Sequence, residues 1–470
     1  MGPGLSAVIT LLPKAVPRKL PGSCYHYLSP SLAFLLIMMR SLKAPATALL
    51  LWFCASCSSP VLTDYPEDAF IGIDAFENGE FEYAAEEFSA LTGTLGSNDF
   101  LAHAEAGMAY HVGGNLEAST REWLAALKVV DGFKDRPTIS GRSATEGALS
   151  MLVNDKTMPY DGEGFEVVLL HSFLAWDFLR QGNLSGAMVE VKRGYEFEDF
   201  ERERYENTTG MNRFGRFIAA LAQDIDGQYS EARIDLERLA KQIPNHPVVL
   251  YSQERIKRLQ SSDRQEELSF SEIVVVFENG HMPEKVAEEI SYSTKRSFGR
   301  ISVPRFSSVP KRSRTLHVEI ENQSVGATTS LENVMQVGRN NLNDRIAWVT
   351  TKALLRSAAK TIIVDQVAEG VEEEHGQWAG IFVGLAGSLL NSYSESADLR
   401  SWLTLPNDIQ VLRARVEPGD RRVVVHTGSN NSPLDLGIYS FEAGTPVMIS
   451  VRAIGNRLYV SPRVHSDSLP

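Results

Sequence analysis

Ile273-Val-Val-Val-Phe277, followed by Glu278 and the pair Asn279-Gly280, is the stretch on which the fold turns. Four β-branched residues and an aromatic in succession read as a buried strand, bounded by a strong turn signal. Upstream of it the apolar residues recur with a helical period. Downstream, short β-type runs dominate. The expected class is therefore α+β: an all-α N-terminal half over 66–260, then a mixed α/β and β-rich C-terminal half, with the charged run Asp263–Glu267 at the boundary.

In the helical half one pattern recurs. It reads Gly79-Glu-Phe81-Glu-Tyr-Ala84, Gly114-Asn-Leu116-Glu-Ala-Ser119, Gly182-Asn-Leu184-Ser-Gly-Ala187 and Gly227-Gln-Tyr229-Ser-Glu-Ala232. The glycines lie 35, 68 and 45 residues apart, close to one and two tetratricopeptide periods of about 34, with an insertion in the last. An apolar helix precedes each glycine, at 69–76, 102–112, 167–179 and 214–225, and an amphipathic one follows. Glycine ends the first helix where a positive φ costs least. The aromatic or leucine packs into the hairpin, and the small residue lets the helices approach. This half looks like a tetratricopeptide array, which stacks helix pairs and presents a surface to peptides or proteins. A generic helical bundle is the alternative, and 130–164 is too degenerate to carry a repeat.

Beyond the first strand, 301–306 and 316–320 are strand candidates within a mixed α/β domain over 268–400. Residues 344–367 read as a long helix with Arg345, Lys352, Arg356 and Lys360 on one face, since their spacing returns to within about 60°. That stripe offers three readings: contact with an anionic partner, a solvated face, or pairing with Glu372, Glu373 and Glu374. Trp378-Ala-Gly-Ile-Phe-Val-Gly-Leu-Ala-Gly-Ser-Leu-Leu390 is too short to span a membrane, and reads as a core helix or as a partner-facing or membrane-touching hairpin. A β-rich module over 401–470 follows, with strands at 409–416, 421–427, 438–442, 447–453 and 457–460, and a Pro418-Gly419 turn between the first two.

The N-terminal segment has different chemistry. Residues 1–56 hold five basic side chains and no acid, which leaves 41 basic against 59 acidic and a charge of −18 on the rest. So acidic a body disfavours broad binding to nucleic acid. All three cysteines, Cys24, Cys54 and Cys57, precede residue 58, so no disulfide or thiolate metal site is expected in the body. Arg40 and Lys43 lead a short apolar run over 44–53, which fits a signal peptide. Cys54-Ala-Ser-Cys57 resembles the bacterial lipobox, departing from it at Cys54, where leucine is usual. The resemblance implies diacylglycerol on Cys57, cleavage after Ser56, and a 57–65 linker. Ser58, in place of the Asp that retains lipoproteins at the inner membrane, implies the outer membrane, facing the periplasm. An ordinary cleaved signal peptide is the alternative. The five prolines before residue 38 suggest a start at Met38 or Met39.

Catalytic motifs are not found: no G-x-S-x-G elbow, no H-E-x-x-H and no phosphate-binding loop. No catalytic residue, metal ligand or cofactor is expected. His375 beside three glutamates reads as part of a charge run. His171, in an apolar helix, reads as a hydrogen-bonded core residue. Met158–Glu166 reads as the cap that opens that helix, with Glu163 and Glu166 suited to its N-terminus. Tyr160, Phe165 and His171, with Arg345, Lys352, Arg356 and Lys360, are the candidate partner-binding residues.

Four stretches together, Tyr160-Asp-Gly-Glu-Gly-Phe-Glu-Val-Val-Leu-Leu-His171, residues 182–196, Val274-Val-Val-Phe-Glu-Asn-Gly280 and Ala397-Asp-Leu-Arg-Ser-Trp-Leu-Thr-Leu-Pro406, resemble a family of large envelope lipoproteins of Gram-negative bacteria. The resemblance spans most of 66–430. It implies a tetratricopeptide-type N-terminal half, no catalytic residues, and a role in envelope biogenesis or maintenance through protein partners. An enzyme or glycan-binding protein using the C-terminal half is the alternative. If lipid holds the chain at the membrane, Cys57→Ala should move it from the membrane to the soluble fraction on cell fractionation. Continued retention would mean that residues 378–390 or a partner hold it.

Overall fold

Strand β1 (Ser271–Asn279) is buried along its whole length, as its uninterrupted apolar run requires. It is the middle of a five-stranded sheet with β6 (Thr329–Glu332), β7 (Asp408–Val416), β10 (Pro446–Ile454) and β11 (Arg457–Ser461), in the order β11-β10-β1-β7-β6. β10 runs parallel to β1, with Ile273 opposite Val447 and Phe277 opposite Val451. β7 runs antiparallel, with Val275 opposite Leu412.

Alternate residues of β1 serve two cores. Ile273, Val275 and Phe277 face a second sheet, made of β5 (Gln323–Ala327), β4 (His317–Ile320), β8 (Gly419–His426) and β9 (Leu434–Phe441) in that order. They pack there with Val318, Val423, Val425 and Phe441. Val274 and Val276 face the other way and join the large core that the helices build. Each such side chain contributes about 1.5–3 kcal/mol by leaving water. Helices, five-stranded sheet and four-stranded sheet thus form three layers. The strands β2 (Lys285–Ser293) and β3 (Phe298–Phe306) pair separately as a two-stranded ribbon.

The helical layer is made of hairpins: α2 (Phe70–Asn78) with α3 (Phe81–Ser89), α4 (Asp99–Gly113) with α5 (Leu116–Lys134), α6 (Gly164–Arg180) with α7 (Leu184–Tyr205), and α8 (Arg213–Ile225) with α9 (Tyr229–Gln242). Gly79, Gly114, Gly182 and Gly227 end the first helix of each at φ of 85°, 87°, 72° and 77°. Each makes the same pair of terminal hydrogen bonds. The glycine N–H reaches back three residues, and the next N–H reaches back five, as from Asn183 to Phe178 O at 2.8 Å. Carbonyls orphaned at the helix end are satisfied in this way. The small residues of the pattern, Ala84, Ser119, Ala187 and Ala232, are all fully buried between helices. Outside the hairpins are α1 (Tyr65–Asp68), α10 (Pro247–Leu259), α11 (Arg264–Glu267) and α12 (Val334–Ala358).

The computed structural model describes residues 65–93, 98–134, 159–205, 212–293, 298–308, 314–358, 397–428 and 433–462. All of them fall in one compact unit, Val61–Pro470, and the second unit, Met1–Pro60, lies outside them with Cys57 and the signal segment. The anticipated boundary between 268–400 and 401–470 does not separate two bodies. β1 and β6 share a sheet with β7, and β4 shares one with β8, so strands from both sides interleave. Pro418-Gly419 joins β7 in one sheet to β8 in the other, rather than closing a hairpin. The helix expected to start at 344 starts ten residues earlier, at Val334. Residues 359–396, which hold Lys360, Glu372–Glu374, His375 and the 378–390 run, lie outside the described residues.

Two glycines distinguish backbone from packing effects. A Cβ on Gly107 would run into the indole of the buried Trp123, whereas one on Gly182 would meet open space but sit at positive φ. Gly182→Ala should cost about 1 kcal/mol, and Gly107→Ala about 1–3 kcal/mol from overpacking. Urea midpoints of the two variants would rank them.

Candidate functional site

At the centre of the joint between helices and sheet lies His111, fully buried on α4. Its Nδ1 donates to Asp177 Oδ1 on α6 at 2.7 Å, and its Nε2 to Glu278 Oε1 on β1 at 2.8 Å. Carboxylates only accept, so both ring nitrogens must carry hydrogen, and the side chain is an imidazolium. Burial alone would push His111 down; Asp177 and then Glu278 overcome it and raise the ring to about 9. The same charge holds Asp177 and Glu278 below the usual carboxylate range in spite of their own burial. Ser119 Oγ donates to Asp177 at 2.8 Å, and Arg180 pairs with it at 3.1 Å. Helices α4, α5 and α6 are thereby tied to the central strand through one cation.

Two more buried carboxylates grip the segment that leads into β7. Glu105 on α4 accepts from Leu403 N at 2.6 Å, from Thr404 N at 3.0 Å and from the Thr404 hydroxyl. Glu166 on α6 accepts from Trp402 N at 2.8 Å, Glu163 N at 2.9 Å and the Tyr160 hydroxyl at 2.8 Å. Burial pushes Glu105 up to about 8 and Glu166 to about 7. Glu163 goes the other way. Lys285 at 2.6 Å and Arg345 at 3.0 Å outweigh its burial and lower it to about 2. A further cluster joins α8 and α10 to the sheet: Arg413 spans Asp224 and Glu272, and Arg255 pairs with Asp224, Glu267 and Glu272.

These groups are interior and hold the layers together. Among the described residues an open groove of about 680 Å³ lies where the first hairpin meets the second. Phe81, Tyr83 and Tyr110 supply aromatic surface, and Glu80, Glu82 and Glu86 supply carboxylates along it. Tyr83 is 46% exposed. Phe81 is held in place from below, edge-on to Phe76 at 5.3 Å and to Tyr459 at 4.8 Å. Hydrogen bonding to Glu87 and the charges of Glu87, Glu80 and Glu86 raise the Tyr83 hydroxyl. Tyr110 is raised by burial and by Glu122, with Arg121 opposing and Glu86 and Glu82 adding to the rise, so the acids outweigh the one cation that acts on it.

Of the four candidate partner-binding residues whose side chains are described, three are buried. Tyr160 and Phe165 are buried, Tyr160 against Glu166 and Phe165 edge-on to Phe306 at 6.2 Å. With Glu163, Lys285 and Arg345 they form one interior assembly. His171 lies apart from it, buried with Nδ1 2.7 Å from Glu190, the core role its apolar helix implied. Arg345 is drawn into an ion pair with Glu163 instead of standing in solvent. Lys352 and Arg356 belong to α12, but their side chains and Lys360 lie outside the described residues. The described part of the Met158–Glu166 stretch, 159–166, does cap its helix: the Glu166 carboxylate reaches back to the Glu163 N–H.

Glu105, His111, Asp177, Glu278 and the groove were missed by sequence reasoning. The usable signal was chemical contradiction. Glu105 and His111 interrupt an alanine-rich apolar helix, and Asp177 sits within a run of large apolar residues. A charge at a core position implies a buried partner. No family model, no curated protein and no solved structure matches the chain.

The His111 joint has a defined pH window. Its pKa is raised above the unfolded value, so its stabilisation is full below pH about 6.5 and is lost as pH rises through about 9. Asp177 and Glu278 have the opposite sign and contribute above the ordinary carboxylate range. His111→Gln should cost roughly 3 kcal/mol by removing the one buried cation that Asp177 and Glu278 share. It should also flatten the fall in urea midpoint between pH about 7 and about 9. A variant whose midpoint falls over that range as steeply as the parent's would exclude the imidazolium.

Proposed function

We propose that this chain is a lipid-anchored envelope protein whose helical hairpins form a tetratricopeptide-type array that holds a protein partner. The observation that carries the reading is the open groove between the first two glycine-capped hairpins. Helix-pair arrays recognise partners on surfaces of this kind. The surroundings suit a rigid platform. Buried ion pairs fix α4, one wall of the groove, to α6 and β1, and Phe81 packs the other wall against Phe76 and Tyr459. The lipobox-like Cys54-Ala-Ser-Cys57 and the following Ser58 support attachment through diacylglycerol on Cys57, on the periplasmic side of the outer membrane; no helix of the described residues is long and apolar enough to cross a membrane.

Because helices and sheet share one core, deleting the helical half would not leave an intact remainder. A test must keep the chain whole. A photo-cross-linking aromatic placed at Tyr83 in the native cell should give one defined adduct with another protein. The same group at Ile438, exposed on β9, should give none. Equal or absent adducts at the two sites would remove the basis for the proposal.

A further inference from the structure

We infer that the groove between the first two hairpins recognises a basic segment of the partner protein, with arginine side chains laid over Tyr83 and Tyr110. This rests on the protein-binding reading above and assigns the chemistry of what it binds.

Three carboxylates at the groove, Glu80, Glu82 and Glu86, stand without a counterion among the described residues. Some acids elsewhere on this surface are answered by neighbours, Glu237 by Arg233 at 2.5 Å, Glu254 by Lys257 at 3.5 Å and Glu196 by Lys192 at 3.7 Å, while scattered single ones such as Glu231 and Glu442 are not. Glu80, Glu82 and Glu86 make no ion pair among the described residues, and no lysine or arginine lines the groove. At the cavity three unanswered acids stand together, within seven residues of one another. Like charges this close destabilise the free chain slightly, and a cationic occupant relieves them.

The aromatic surface narrows the choice of cation. A metal ion needs converging ligands, and no group of three among the described residues is set to hold one. Two tyrosines, one 46% exposed, suit a planar cation that stacks on rings while its edge meets carboxylates. Guanidinium does both, and ammonium only the second. The volume, about 680 Å³, is in the range that encloses several side chains rather than one. At long range the −18 charge of the chain beyond residue 56 draws in a basic partner and repels an acidic one. An anionic lipid surface or a nucleic acid would meet the wrong sign.

The test uses the purified full-length chain and two labelled probe peptides of equal length, one alternating arginine with leucine and the other glutamate with leucine. The arginine peptide should bind and the glutamate peptide should not, and about 1 M salt should abolish binding. Glu80→Gln, Glu82→Gln and Glu86→Gln together should weaken binding by about tenfold. Glu231→Gln, Glu417→Gln and Glu442→Gln, which remove the same charge from exposed sites elsewhere, should leave it unchanged. Equal loss in both triple variants, or equal binding of both peptides, would overturn the assignment. In cells, a Tyr83 adduct that survives the groove substitutions at full yield would overturn the charge chemistry and leave the protein-binding reading standing. No adduct from the unsubstituted groove would overturn both.

Discussion

One imidazolium between two carboxylates decides how the layers of this protein meet. His111 comes from α4, Asp177 from α6 and Glu278 from β1, and all three are fully buried. Charges taken out of water cost several kcal/mol each, and only close, well-directed contacts offset that. The geometry is therefore demanding: neither helix can slide along the sheet without breaking a bond at 2.7 or 2.8 Å. An apolar joint would tolerate such a shift. A cation between two carboxylates recurs at Arg413, with Asp224 and Glu272, so helices and sheet are pinned at a second point, and Glu163 with Lys285 ties α6 to the two-stranded ribbon.

How much of this was legible depended on where the physical cause lay in the chain. β1 was legible because a run of β-branched residues has few other homes. The four hairpin glycines were legible because positive φ is local and only glycine adopts it freely. The strands after residue 408 followed from the same local logic, to within a few residues of their observed ends. The polar joint was not legible. His111 finds Asp177 after 66 residues and Glu278 after 167, and no spacing rule connects them. Arg345 was placed on a basic stripe because its helix was visible, while its partner Glu163, 182 residues upstream, was not.

Tyr160 and Phe165 show a related limit. Their motif is distinctive enough to suggest a surface, yet the structure uses it internally. Tyr160 satisfies Glu166, which in turn holds Trp402. The groove has the reverse history. Phe81 and Tyr83 follow a turn glycine and read as hairpin packing, and only the meeting of α3 with the end of α4 makes a concavity of them. Sequence pattern located the elements, and the long-range pairing of charges decided which of their faces were left for solvent.

The parallel pairing of β1 with β10 has a consequence for assembly. Both neighbours of the central strand, β7 and β10, come after residue 407, so β1 stands without either partner until nearly the whole chain is present. Contacts of such sequence separation close slowly, and an unpaired apolar strand is prone to wrong associations while it waits. The helices can form early, but the strand that their inner surface must cover acquires its neighbours last. Maturation of this molecule is thus a race between late C-terminal strands and premature association, and chaperone protection matters most in the interval before β7 and β10 arrive.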